Sequence, residues 1–136
     1  MHISIIVSIK MSFAILVTGA REWTDAKTVK KVLSKHKDED CALIHGNCDG
    51  LDKIAGNVGK KLGFIIKSFP ANWEKYGRAA GPIRNKEMIN ELLKYENRVM
   101  IAFHDCIEQS RGTKDCVTQA KKLGIECEIF HSYTGK

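Results

Sequence analysis

Arg84 and Asn85 follow directly on Ala80-Gly81-Pro82-Ile83, and this run, AGPIRNKEM over residues 80–88, holds one of only two prolines in the chain. Proline suits the first turn of a helix, where its missing N–H costs nothing, and Gly81 permits a sharp turn into it. The run therefore predicts a helix start with Arg84 and Asn85 in its first turn. The dipole there favours an anion and opposes an unpaired basic residue. The expectation is an anion held against Arg84, with Asn85 beside it. The alternative is a surface arginine.

Three other stretches carry residue types of the same kind. Residues 18–25, TGAREWTD, set Gly19 at a tight turn and Arg21 where its fork can meet a phosphate. Residues 45–52, HGNCDGLD, place Gly46 and Gly50 before a helix start, a cradle for phosphate or ribose. Asp49 and Asp52 can bond ribose hydroxyls, or Asp49 can cap the helix. Residues 104–115, HDCIEQSRGTKD, offer Ser110, Gly112 and Thr113 as donors at a third helix start, with Asp115 just beyond. Trp73 and Tyr76 precede the opening run, where they either stack on a base or pin a loop to the body. His45 is read as a proton carrier or a hydrogen-bonded structural histidine. No G-x-G-x-x-G fingerprint is present, so the pattern is not that of a dinucleotide site. No cysteine pair has zinc-site spacing, so no metal is expected.

The elements that must position these residues alternate. Apolar runs at Phe13–Thr18, Cys41–His45, Phe64–Phe69, Arg98–Phe103 and Ile125–Phe130 predict five strands. Helical spacing predicts helices over Asp25–Lys37, Leu51–Leu62, Pro82–Tyr95 and Thr113–Leu123, with Pro70–Gly81 as a loop. Strands alternating with helices of this length require parallel crossovers, hence an α/β, three-layer domain with a mostly parallel open sheet. Ligands of such sheets bind beyond the carboxyl ends of the strands. The candidate residues all fall there.

At 136 residues the chain is one domain by size, and its 43% hydrophobic and 28% charged content is that of a globular protein. Its net charge of +6 fits an anionic ligand, or a solvated lysine-rich surface, since the lysines are spread in pairs. Five cysteines, an odd number without C-x-x-C, predict reduced thiols and a cytoplasmic location. The apolar start MHISIIVSIKMSFAIL is interrupted by Lys10, so neither a signal peptide nor a membrane span is expected. Residues 1–10 are read as an extension of open status: a leader before a start at Met11, or a strand or subunit contact over Ile3–Ile9. Residues 11–136 form the domain.

Taken in order, VTGAREWTD, IHGNCDGLD, FPANWEKYGRAAGPIRNKEM and SRGTKDCVTQAKKLGI resemble the YspA-like branch of the SLOG superfamily over about residues 14–130. That superfamily also includes the LOG phosphoribohydrolases and the Rossmann-like domain of DprA. The resemblance implies a Rossmann-like domain that binds a nucleotide or nucleotide-derived ligand as a homodimer or higher oligomer. By motif, Gly19 and Arg21 match the first loop, and Gly46, Asp49, Gly50 and Asp52 the second. Arg84, Asn85 and Met88 match an R-x-x-x-M element whose arginine is catalytic in LOG enzymes. Gly112 and Thr113 match the G-T of the LOG P-G-G-x-G-T-x-x-E element. Two departures stand out. Glu108-Gln109-Ser110-Arg111 replaces P-G-G-x, and the catalytic glutamate falls on Cys116.

Three readings follow. The first is a nucleotide-binding module, a sensor for example, with no cofactor and no membrane partner. The second is a nucleoside 5′-monophosphate phosphoribohydrolase, with Arg84 holding substrate and Asp49, Asp52 or Asp115 assisting. The third, less favoured, is a single-stranded nucleic-acid binder. Arg84→Ala is expected to abolish nucleotide binding without unfolding the chain, and Asp115, beside Cys116, to point away from the site.

Overall fold

The computed structural model of the chain describes residues 13–36 and 40–133. The extension at residues 1–10, the alternative start at Met11 and the predicted helix end at Lys37 lie outside them. The described elements are β1 (Phe13–Gly19), α1 (Ala26–His36), β2 (Cys41–His45), α2 (Leu51–Leu62), β3 (Ile65–Ser68), the one-turn α3 (Trp73–Tyr76), α4 (Ala80–Leu92), β4 (Asn97–Phe103), α5 (Gly112–Lys122) and β5 (Cys127–Phe130). Short 3₁₀ turns at Gly77–Ala79 and Ile107–Gln109 precede α4 and α5.

The strands form one parallel sheet in the order β3-β2-β1-β4-β5. This is the Rossmann-like α/β fold. Handedness explains the order. Right-handed crossovers through α1 and α2 build outward from β1 to the edge strand β3 on one face. The α4 crossover then returns beneath the other face and lays β4 along the free side of β1.

Strand side chains alternate between the faces. Ile15 and Val17 pack with Val29, Leu33, Leu51 and Ala55 of α1 and α2. Ala14 and Leu16 pack with Met88, Ile89, Leu92, Val117 and Ala120 of α4 and α5. The central strand is therefore covered on both sides, which is why FAILVT reads as an unbroken apolar run. The edge strands β3 and β5 are short and partly exposed.

β1 and β4 pair along their full length, from Phe13 opposite Asn97 to Gly19 opposite Phe103. They end together, and the chain leaving β1 goes to one face while the chain leaving β4 goes to the other. Such a switch point opens a crevice at the strand ends.

The structure departs from the sequence reading mainly in the segment taken as a loop over Pro70–Gly81. It folds into α3 and a 3₁₀ turn, because the Asn72 side chain accepts the Lys75 N–H at 3.0 Å and caps that turn. The 3₁₀ turn runs straight into α4, which begins at Ala80, not Pro82. Arg84 is thus the fifth helical residue and not in the first turn.

Candidate functional site

The loop after β1 is tied to both neighbours through Ala20. Its N–H donates to Phe103 O at 3.1 Å, and its carbonyl accepts from Leu51 N at 3.0 Å. Gly50 sits in the left-handed region (φ 76°), where a Cβ would come within 2.5 Å of Ala20 O. Only glycine fits this junction.

The loop after β2 is organised by Asp52, which is 6% exposed. Its Oδ2 accepts the backbone N–H groups of Gly46 at 3.1 Å and Cys48 at 3.2 Å. Burial pushes its carboxyl up to about 6, against the pull of the Cys48 N–H and the Arg84 charge. His45 takes the structural role. Its Nδ1 accepts Asn47 N–H at 3.0 Å, and burial, then Lys53, hold it below the usual histidine range.

Arg84 and Asn85 project from α4 into the layer between these loops and α5. Arg84 is 6% exposed; it donates Nη1–H to Gly46 O at 2.6 Å and Nε–H to Asn85 Oδ1 at 3.0 Å. Asn85, 2% exposed, in turn donates Nδ2–H to Gly112 O at 3.2 Å and to Asp115 Oδ2 at 3.0 Å. Gln119, one turn after Asp115, donates to the same oxygen at 2.8 Å and to Pro82 O at 3.3 Å. A chain of partners thus fixes the guanidinium from α5. Asp115 points into the site, contrary to the expectation that it would face elsewhere.

α5 opens onto the crevice. Ser110 Oγ accepts the Thr113 N–H at 3.0 Å, so Ser110 and not Thr113 is the capping residue. A Cβ on Gly112 would meet nothing within 4 Å, so the backbone there is open to a ligand. Cys116, at the position of the LOG glutamate, lies in the core cluster with no exposed surface. Burial, then the Asp52 charge, pushes its thiol up to about 12. It is packing, not a reactive group.

Together these elements enclose a cleft of about 820 Å³. Gly19, Arg21, Asp52, Arg84 and Asn85 line it, as do Ser110, Gly112, Thr113 and Asp115. Gly46, Asp49 and Gly50 are not in its wall: Gly46 backs Arg84, Gly50 joins two loops, and Asp49 is exposed. Residues the sequence reading did not assign also line it, including Thr18, Cys48, Arg78, His104 and Arg111. Arg111 lies within the stretch singled out, but its type alone gave no direction. Gln119 was missed, although its spacing of four from Asp115 marks a helical neighbour. Four arginines and three carboxylates face the cleft, counting Glu22. No helix among the described residues is long and apolar enough to cross a membrane.

Comparison with known proteins agrees with the fold. The model of the YspA, cpYpsA-related SLOG family matches residues 13–76. The Gene 61 protein of Mycobacterium phage D29 is 32% identical over 119 residues, covering 82% of this chain and 90% of that protein. The X-ray structure of DNA processing protein A (DprA) from Streptococcus pneumoniae is similar in fold, with a TM-score of 0.50 at 15% identity over 89% of this chain. This chain spans 60% of the length of that structure.

Proposed function

Since this chain belongs to the YspA, cpYpsA-related SLOG family, we propose that its cleft binds a nucleotide or nucleotide-derived ligand at the carboxyl ends of the parallel strands. One observation carries the reading. A buried, side-chain-locked arginine, Arg84, stands in the same cleft wall as the open start of α5 at Ser110, Gly112 and Thr113. A fixed guanidinium and a helix N-terminus are the two devices that bind phosphate best. The three exposed arginines, Arg21, Arg78 and Arg111, add positive charge at the rim.

A second reading, hydrolysis of the N-glycosidic bond of a nucleoside 5′-monophosphate, is favoured by Asp52. A cleft carboxyl with its pKa near 6 suits proton transfer at neutral pH. Against it, Asp52 Oδ2 is already engaged by two backbone N–H groups, and Cys116 holds no carboxylate. Incubation with nucleoside mono-, di- and triphosphates, followed by chromatography, separates the two. Intact nucleotide retained after desalting supports binding; free base supports hydrolysis; neither result overturns both. Affinity for a single-stranded oligonucleotide that falls steeply with salt would instead favour a nucleic-acid ligand.

A further inference from the structure

The cleft wall carries a second feature, an aromatic surface next to Arg84. The chain has two tryptophans. Trp23 is 4% exposed and packs edge-on against Phe103 in the core. Trp73 is 51% exposed, yet it lines the cleft. It is not a loose side chain. It begins α3, whose turn is closed by the Asn72 cap and by a Gly77 N–H bonded to Trp73 O. Its indole edge rests on α4, where a Cβ on Gly81 would lie 3.5 Å from Cη2. Gly81 and Arg84 are three residues apart on α4, so they share a face about one turn, ~5 Å, apart along the axis. The indole and the buried guanidinium are therefore neighbours on the same wall, with the α5 start beside the guanidinium.

From this juxtaposition we infer that Trp73 is the seat of the nucleobase: the base stacks on the indole while the phosphate end meets Arg84 and the α5 start. The inference rests on the nucleotide reading above. Stacking is tolerant of base identity, because every base has a π-face. Trp73 thus selects for a planar heteroaromatic group over a plain sugar phosphate, rather than for one base over another.

The test titrates wild type, Trp73→Ala, Trp73→Phe and Arg84→Lys with AMP, GMP, CMP, UMP and ribose 5-phosphate by calorimetry, alongside tryptophan emission. Trp73→Ala is expected to weaken nucleotide binding about 10-fold or more, with Trp73→Phe in between. Ribose 5-phosphate affinity should not change in either variant, whereas Arg84→Lys should weaken both ligand types. Nucleotide should quench wild-type emission and leave that of Trp73→Phe, which retains only Trp23, unaltered. Equal nucleotide affinity in wild type and Trp73→Ala overturns the stacking inference alone. An equal loss of nucleotide and ribose 5-phosphate in Trp73→Ala also overturns it, since that is a structural effect. Failure of all five ligands to bind wild type overturns the nucleotide reading for nucleoside monophosphates, and the inference with it.

Discussion

Arg84 reaches across from α4 to rest on the backbone carbonyl of Gly46, 2.6 Å from its Nη1. The two residues are 38 positions apart and belong to different crossovers. Gly46 is close enough that a Cβ on it would lie 2.8 Å from the guanidinium carbon. The glycine of the β2 loop is thus a socket for the arginine, not a second phosphate cradle. The contact joins the two halves of the fold at the wall of the cleft beyond the strand ends.

That contact changes what Arg84→Ala should do. Removing the side chain leaves Gly46 O and Asn85 Oδ1 without a donor in a buried layer, which costs about 1–3 kcal/mol for each unsatisfied group. We expect lower stability as well as lost nucleotide binding, in a chain that still folds. Arg84→Lys, which keeps the charge but not the fork, should fold and bind about 10-fold or more weakly. Urea denaturation and calorimetry on both variants check this, and wild-type affinity in Arg84→Lys would contradict it.

Gly46→Ala tests the socket without touching any group offered to a ligand. The added methyl meets the guanidinium, which must shift from its place in the cleft wall. Overpacking of this kind costs about 1–3 kcal/mol. Nucleotide affinity should fall although residue 46 lies outside the wall. Unchanged affinity would mean that the position of Arg84 does not matter.

Asp115→Asn and Asn85→Ala form an informative pair. The asparagine oxygen at 115 can still accept from Asn85 and Gln119, so the partner chain behind Arg84 survives. We expect that variant to bind nucleotide within a few-fold of wild type. Asn85→Ala should weaken binding and stability together, because Arg84 Nε and Gly112 O lose this partner and Asp115 Oδ2 keeps only Gln119. If any N-glycosidic cleavage is measured and Asp115→Asn abolishes it with affinity unchanged, Asp115 acts on substrate and not on Asn85 alone.

The five strands and four long helices of this fold were legible because continuous apolar runs such as FAILVT require cover on both faces and the helices between them carry a 3.6-residue period. The clustering of Arg84, Asp52 and the α5 start followed from the rule that parallel strands end on one side. The division of labour among the residues was not legible. Gly46, Asp49 and Gly50 share one stretch with Asp52, yet Asp52 and the unassigned Cys48 are the residues of it that reach the cleft wall, because loop conformation decides which side chains turn inward. Asn85 looked like a ligand donor by type. Its side chain is used by the adjacent Arg84 and by Gly112 and Asp115, and the last two, 27 and 30 residues away, lie in no local pattern. The α3 turn was hidden because a four-residue helix has no periodicity to read, and only its Asn72 cap marked it.

Asp52 makes stability depend on pH in an unusual direction. Its folded pKa, about 6, lies above the ordinary value of 3.8, so the folded chain holds a proton that the unfolded chain releases between those values. Its contribution is complete below about pH 4 and is lost as pH rises through 6, a change on the order of 3 kcal/mol. Asp52→Asn has no such proton to lose and can still accept from Gly46 and Cys48. Urea unfolding at pH 4.5 and 7.5 should show the variant gaining on wild type at the higher pH. A gap between the two proteins that is the same at both pH values would rule out the raised carboxyl.

Cys48 offers a test of the proposed nucleotide site that needs no mutation. It lines the cleft and is half-buried, while Cys106 is exposed and Cys41 and Cys116 are buried. Reactivity requires thiolate and access, and Cys116, with its pKa pushed up to about 12, has neither. Alkylation with iodoacetamide, read by peptide mass spectrometry, should modify Cys106 first, Cys48 more slowly, and Cys41 and Cys116 only on unfolding. A nucleotide seated between Arg84 and the α5 start should slow Cys48 and leave Cys106 unchanged. Protection of both thiols would indicate a global tightening of the fold, and protection of neither, at a concentration where calorimetry detects binding, would place the ligand outside this cleft.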